Sequence, residues 1–155
     1  MLALTFQIGD EKLALDIRRV REVVPRVRLR SVSGAPAWYA GVFVYRGEVV
    51  PVVDLHLLAK AEPCPPHLSS RMILIAPRRE SGDARLIGLL ASQVADTREI
   101  PLKGKPAASV VSEGAVDLGP LISDEQGVIR LFDPDRFLPD ANWEKLLGGE
   151  KGAIA

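Results

Sequence analysis

Three side chains that could ligate a metal ion lie close together in the sequence. His56 and His67 flank a proline-rich stretch that contains Cys64, the single cysteine of the chain. A structural zinc site needs four ligands at defined spacing, and this stretch supplies three. We therefore predict no metal ion and no cofactor. We interpret the two histidines as solvated linker residues and Cys64 as a small buried thiol.

Two carboxylates could form an acid/base pair, but a structural role explains them better. Asp133 and Asp135 lie at the start of a predicted short helix that ends at Leu138, and a helix N-terminus favours carboxylates. The sequence has no G-x-S-x-G nucleophile elbow, and no phosphate-binding glycine motif follows a strand. We therefore expect a protein without catalytic residues that is not an enzyme. An unrecognised active site beside His56 and His67 is a weaker alternative.

The charge cluster of the chain is a run of six arginines in its N-terminal part. Its members are Arg18, Arg19, Arg21, Arg26, Arg28 and Arg30. No aromatic residue lies between Phe6 and Trp38, and 20 basic side chains balance 20 acidic ones over the whole chain. Nucleic-acid binding favours a basic face with stacking aromatics, so we favour a solvated face or a protein-contact patch. The alternative is a β-barrel nucleic-acid-binding module, whose affinity would fall steeply with salt.

The elements that must position these side chains are short strands. Apolar and polar residues alternate over residues 2–8, and β-branched runs recur along the chain, as in strands with one buried face. Residues 42–50 predict a hairpin in which Gly47 supplies a positive φ. Pro51 predicts a sheet edge or a bulge, and Asp54 can cap a short helix. The fold class is therefore all-β with short helices.

The apolar period changes in residues 16–24. Ile17, Val20 and Val23 recur every three residues, and arginines and Glu22 fill the gaps. This spacing predicts one helical stripe about two turns long, with Asp16 as its N-cap.

The length and composition indicate one compact domain. The chain has 155 residues, of which 47% are hydrophobic and 26% are charged, the ordinary mixture of a globular protein. No apolar run approaches the ~20 residues needed to span a bilayer. We expect a soluble, cytoplasmic protein. Residues 141–155 are predicted to form a poorly ordered C-terminal tail, because the last residues show no packing pattern.

Four blocks of the sequence resemble, in order and spacing, the CheW-like coupling proteins of bacterial chemosensory arrays. The blocks are FQIGDEKLALDIRRVREVV, AGVFVYRGEVVPVVDL, RLIGLLASQVADTREI and LGPLISDEQGVIRLFDPDRFLP. Together they cover about residues 2–139, and the hairpin block is specific to that family.

The resemblance implies a fold and a function. The fold would be two five-stranded SH3-like β-barrels that share a hydrophobic core, in one domain over residues 1–140. The first barrel would contain residues 1–44 and 126–140, and the second would contain residues 45–125. The function would be that of a non-enzymatic adaptor, which couples the cytoplasmic tip of a methyl-accepting chemoreceptor to the regulatory domain of a CheA-type histidine kinase. Such a protein binds no nucleic acid, does not insert into the membrane, and reaches it through receptor arrays. Self-association into array rings is left open.

The resemblance also assigns partner-binding residues. Ile17, Val20 and Val23 would line the groove that receives the receptor helix, although each could equally fill the core of the first barrel. The family turn N-L-R-G corresponds to residues 44–47, so Arg46 would face the receptor or the kinase. The full candidate set is Ile17, Val20, Glu22, Val23, Arg46, Gly47, Pro51 and Asp54.

Two departures from the family pattern stand in the sequence. Val44 replaces the asparagine of the N-L-R-G turn, and Ala91-Ser92 replaces the usual V-D of a strand in the second barrel. The contacts of those side chains must therefore differ. The segments MLALTFQIGD, AWYAGVFVYRG and LGPLISDEQG resemble the WspB type, which serves surface-sensing pathways linked to cyclic-di-GMP, more than the flagellar type.

Overall fold

The structure is a computed structural model that describes residues 1–80, 82, 84–94, 96–101, 116–124 and 126–148. Within these residues, no helix is long and apolar enough to cross a membrane.

The described residues form mostly short strands, as predicted. In chain order the elements are β1 (Leu2–Ile8), β2 (Glu11–Asp16), a 3₁₀ turn (Ile17–Arg19), β3 (Val20–Pro25), β4 (Tyr39–Tyr45), β5 (Glu48–Asp54), α1 (Leu55–Lys60), β6 (Arg71–Ile75), β7 (Ile87–Ala91), β8 (Thr97–Glu99), β9 (Leu121–Asp124), β10 (Gly127–Leu131) and α2 (Asp140–Leu147). The prediction of an all-β fold with short helices is confirmed.

The strands form two sheets of five strands each. The first sheet has the order β8-β1-β2-β10-β9, and the second has the order β3-β6-β7-β5-β4. Most neighbours are antiparallel, but β10 runs parallel to β2 and β5 runs parallel to β7. Parallel neighbours cannot be joined by a tight turn, so the chain leaves the first sheet, builds the second, and returns.

The division of the chain between the two units differs from the prediction. The first sheet takes residues 2–16, 97–99 and 121–131, and the second takes its strands from residues 20–91. The predicted division, residues 1–44 with 126–140 against residues 45–125, is therefore wrong. The error concerns strand pairing. In the second sheet β3 pairs with β6 and β4 pairs with β5, and in the first sheet β8 pairs with β1.

One hydrophobic core joins the two sheets. Phe6 and Leu15 of the first sheet pack in the same cluster as Ile73 and Leu89 of the second, and all four are fully buried. Burial of one such side chain stabilises the fold by about 1.5–3 kcal/mol. Because both sheets share these contacts, the core fixes their relative position, as the predicted shared core requires.

The C-terminal end of the described chain packs on this core. Trp143 and Leu146 of α2 are buried, and the Trp143 ring lies edge-on to Phe137 with 5.3 Å between ring centres. The predicted disorder from residue 141 is thus wrong up to Leu147, because Trp143, Leu146 and Leu147 form a helical stripe. Residues 149–155 of the predicted tail lie outside the described residues.

Candidate functional site

Three half-buried apolar residues, Ile17, Val20 and Val23, line one side of the shared core. We call them the docking strip. The predicted helix over residues 16–24 is wrong, because the chain forms a 3₁₀ turn and then β3. The period of three still places the strip on one face. A 3₁₀ turn brings residues three apart into line, and a register shift between Val20 and Glu22 inserts an extra residue into β3.

The pairing of β3 with β6 confirms this orientation. Val20 lies opposite Ile75 and Val23 lies opposite Ile73, and both partners belong to the core between the sheets. A regular strand would send Val20 and Val23 to opposite faces. The bulge therefore gives the docking strip its single face.

The N-terminal end of the docking strip is held by a capped turn. The backbone N–H of Arg18 donates to Asp16 Oδ1 at 3.0 Å, so Asp16 is the N-cap that the sequence predicts. The Arg18 guanidinium also pairs with this carboxylate, and its hydrogen bonds lower the pKa of Asp16. An open groove of about 430 Å³ runs beside Ile17 and Arg18, with the partly exposed Leu2 on its wall.

The hairpin between β4 and β5 turns in two residues. Arg46 and Gly47 have φ of 50° and 82°, the left-handed values of the tight turns whose twist matches the strands. The glycine prediction is confirmed here. The turn presents Arg46 to solvent, with 78% of its side chain exposed.

A polar cluster connects this turn to β3. The Tyr45 hydroxyl donates to Glu22 Oε1, and Arg46 Nη2 lies 3.3 Å from the same oxygen. The Arg46 guanidinium also lies over the Tyr45 ring, 5.2 Å from its centre. β3 and β4 are the two edge strands of the second sheet, so these contacts bring its edges together. The hydrogen bond to Glu22 raises the pKa of Tyr45.

The outer face of the hairpin carries an apolar patch. Val44 lies opposite Val49, and Val42 lies opposite Pro51 in the same register. Val44 and Val49 are 70% and 67% exposed, whereas their strand neighbours Phe43 and Val50 belong to the core of the second sheet. We call Val42, Val44, Val49 and Pro51 the hairpin patch. An exposed apolar patch of this kind is typical of a protein interface.

Pro51 lies in an interior strand, not at the predicted sheet edge or bulge. Val42 exchanges both backbone hydrogen bonds with Arg30, so its polar groups point away from β5 and the Val42–Pro51 pair is not hydrogen-bonded. The nitrogen of Pro51 therefore faces the side of β7, where pairing begins only at Val52. A proline at this position interrupts no ladder.

Asp54 holds backbone segments together inside the protein. It is 3% exposed, and its carboxylate accepts hydrogen bonds from the backbone N–H groups of His56, Leu57 and Cys64. It caps α1, as predicted, and ties the connector that follows α1 back to β5. Because the carboxylate is buried, it cannot contact a partner directly.

The candidate residues thus fall into two surfaces joined by β3. Val20 and Val23 face the shared core, and Glu22 of the same strand reaches the hairpin turn. Sequence reasoning missed the exposed Val44–Val49 pair. Both faces of the hairpin strands carry β-branched or aromatic residues, so apolar character alone could not separate the exposed face from the buried one.

The arginine cluster is divided among different roles. Arg18 pairs with Asp16, Arg19 pairs with Asp135, and Arg26 donates to the carbonyls of Cys64 and Pro65. Arg21, Arg28 and Arg30 are exposed. Three of the six arginines are therefore engaged with groups of the chain itself, and this division gives the nucleic-acid alternative no support.

The side chains first considered for chemistry serve the fold. His56 is buried and its Nε2 lies 3.1 Å from Ser92 Oγ, so its interpretation as a solvated linker residue is wrong, whereas His67 is exposed. Cys64 is buried, as predicted, and burial raises the pKa of its thiol. Among the described residues, no group of three or more His, Cys, Asp or Glu is arranged to hold a metal ion.

The two carboxylates near the C-terminus also differ from expectation. No helix begins at Asp133; the segment forms turns, and Asp133 Oδ1 accepts the backbone N–H of Asp135. Asp135 instead pairs with Arg19 of the 3₁₀ turn.

Comparison with known proteins places this geometry in a family. The family model described as a CheW-like domain matches residues 2–142. The chain belongs to the CheW-like domain family. Among solved structures, the scaffolding protein TtCheW from Thermoanaerobacter tengcongensis superposes with a TM-score of 0.72 at 21% identity, over 86% of this chain and 84% of that chain. The fold is the CheW fold, with two SH3-like β-barrel units.

Curated relatives are chemotaxis proteins by name. The chemotaxis protein CheW of Treponema pallidum is 33% identical over 94 residues, which is 61% of this chain and 48% of that protein. A probable chemotaxis protein CheW of Rhizobium etli is 30% identical over 93 residues, which is 60% of this chain and 57% of that protein. The matched segments span about half the length of these relatives.

Proposed function

We propose that this CheW-like chain is a non-enzymatic adaptor that couples the cytoplasmic tip of a chemoreceptor to the regulatory domain of a CheA-type histidine kinase. The observation that carries the proposal is the presence of two separate apolar surfaces, the docking strip and the hairpin patch, which lie over different hydrophobic clusters of the same domain. An adaptor needs two surfaces that different partners can occupy together. The names of the relatives, chemotaxis and scaffolding proteins, support the same role.

The docking strip suits a helix. A helix presents apolar anchors every three or four residues. Ile17, Val20 and Val23 form a half-buried row, and its Ile17 end borders an open groove. We assign this surface to the helical tip of the receptor.

The hairpin patch suits a second folded domain. Its exposed valines belong to the same hairpin whose turn presents the exposed side chain of Arg46. Apolar side chains and arginine are both common at protein interfaces. We assign this surface to the kinase regulatory domain. Each interface can be weak by itself, because an array supplies avidity.

The pathway is the finer part of the proposal. The segments that resemble the WspB type favour a surface-sensing pathway linked to cyclic-di-GMP over flagellar chemotaxis. In either pathway the chain would act in the cytoplasm and reach the membrane through the receptor.

Paired substitutions test the two assignments. Val49→Glu places a charge in the hairpin patch, and Val128→Glu is its matched control, because Val128 is 60% exposed on the hairpin of the first sheet. Val20→Thr makes the docking strip more polar at nearly constant volume. The probes are a purified receptor-tip fragment and a purified CheA-type regulatory domain from the organism that encodes the chain, with binding measured by titration calorimetry.

Each variant should affect one partner. Val49→Glu should weaken binding to the kinase domain about tenfold or more, the loss expected for a central interface side chain. Its affinity for the receptor fragment should not change. Val20→Thr should weaken the receptor fragment alone, and Val128→Glu should change neither affinity. Wild-type protein that binds neither probe, or a Val128→Glu effect equal to that of Val49→Glu, would contradict the proposal.

A further inference from the structure

A cluster of hydrogen bonds around Asp135 joins the 3₁₀ turn to distant parts of the chain. Arg19 Nη1 and Nη2 donate to Asp135 Oδ2 and Oδ1 at 2.8 and 2.7 Å. The backbone N–H of Arg78 donates to Oδ1 at 2.7 Å. The side chains of Arg19 and Asp135 are only 16% and 22% exposed. We call this cluster the Asp135 clasp.

The clasp continues into the second sheet and α2. Arg19 Nη2 also lies 3.4 Å from the carbonyl oxygen of Ala76, just after β6. Arg79 Nη1 donates to the carbonyl oxygen of Asp135 at 3.0 Å, and its guanidinium lies 4.2 Å from the centre of the Trp143 ring. Asp135 therefore connects the 3₁₀ turn, the end of β6 and α2.

The clasp holds the residue that lies between two members of the docking strip. Arg19 lies between Ile17 and Val20 in the chain, directly before Val20, and the turn that contains it has three residues. Such turns have poor hydrogen-bond geometry, so their own bonds fix them weakly. A two-pronged arginine–carboxylate pair fixes orientation as well as distance. The clasp thus adds a long-range restraint to the local one that the Asp16 cap provides.

The ionisation of Asp135 fits this role. Burial raises the pKa of Asp135, but the hydrogen bonds from Arg19 and from the Arg78 N–H outweigh it, and the net pKa lies below the usual range. The carboxylate is therefore charged at neutral pH, and both prongs of the pair are charge-assisted.

We propose that Asp135 is a positioning residue for the docking strip. It holds Ile17 and Val20 in the place that receives a partner helix, and it acts through Arg19 without touching the partner. The inference rests on the proposed function for the identity of the partner, but the restraint on the turn exists in the free protein.

The test compares two carboxylate-to-amide substitutions. Asp135→Asn removes the charge of the clasp. Glu11→Gln is the matched control, because Glu11 accepts from the partly buried guanidinium of Arg130 at 3.2 Å in the first sheet, away from the docking strip. Arg19→Lys is a milder variant that keeps the charge and loses the two-pronged geometry. Two quantities are measured: hydrogen exchange of the Arg18 and Val20 amides in the free protein, and affinity for the receptor-tip fragment.

The free-protein measurement decides the positioning role. Asp135→Asn should speed hydrogen exchange of the Arg18 and Val20 amides. It should also weaken binding to the receptor fragment at least about fivefold and leave the affinity for the kinase domain unchanged. Glu11→Gln should change neither quantity, and Arg19→Lys should fall between. Unchanged exchange in Asp135→Asn, or an equal effect of Glu11→Gln, would overturn the inference.

The remaining outcomes separate this inference from the proposed function. If wild-type protein does not bind the receptor fragment, the proposed function fails and the exchange rates alone decide the role of Asp135. If Asp135→Asn does not fold, Arg19→Lys decides it by the same two measurements.

Discussion

His56 lies where α1 meets strands of both sheets. Its Nε2 is 3.1 Å from Ser92 Oγ, and the Ser92 hydroxyl donates to the backbone carbonyl of Gln7 in β1. Ser92 is one of the departures from the family pattern, and here it serves as the link between His56 and the first sheet. Burial lowers the pKa of His56, so the folded state favours the neutral ring.

This burial predicts a pH-dependent stability. In the unfolded chain His56 binds a proton at about pH 6.5, whereas in the folded chain it binds one only at lower pH. The contribution of the buried neutral ring to stability is therefore fully present above pH 6.5. It is lost as the pH falls through 6.5 towards the folded pKa. The free energy of unfolding, measured by urea denaturation between pH 7.5 and 5.5, should therefore fall in the wild type.

Two glutamine variants test whether His56 causes this pH dependence. His56→Gln should flatten the pH dependence in this interval, and His67→Gln, which changes the exposed histidine of the connector, should preserve it. A wild-type slope that survives His56→Gln would show that another group causes it.

At the scale of elements, the hairpin turn between β4 and β5 was predictable and the segment before it was not. Arg46-Gly47 lies between two β-branched runs, and a two-residue loop of this kind has few alternatives. In residues 17–23 the period of three fits a helix, but it arises from a 3₁₀ turn followed by a bulge. The local pattern gave the correct face and the wrong element, because both geometries align residues three apart.

The turn itself gives a prediction about stability. A Cβ at Gly47 would meet no atom within 4 Å, but its φ of +82° disfavours side chains. Gly47→Ala should therefore destabilise the fold by about 1–2 kcal/mol through the backbone alone. Gly47→Asn should cost less, because asparagine tolerates left-handed conformations. Equal losses for the two variants in urea denaturation would contradict this explanation.

At the scale of the whole molecule, the family resemblance predicted the number of barrel units correctly. It did not predict which strands belong to each unit. Strand positions depend on local patterns, but pairing between β8 and β1 joins residues more than 90 positions apart. Nothing in the local alternation specifies such a partner. The Asp135 clasp was missed for the same reason, since Arg19 and Asp135 are distant in the sequence and adjacent in the fold.

The docking strip packs against the core between the sheets, and the hairpin patch lies on the outer face of the second sheet. If the chain is an adaptor, occupation of one surface should leave the other accessible. This requirement separates an adaptor from a protein with one binding surface for which two partners compete.

Methyl NMR of the chain with labelled isoleucine and valine measures this directly. The kinase regulatory domain at saturation should shift the methyl signals of Val44 and Val49, and the receptor-tip fragment added next should shift those of Ile17, Val20 and Val23 while the first set stays in its bound position. Return of Val44 and Val49 to their free positions when the second partner is added would contradict the account.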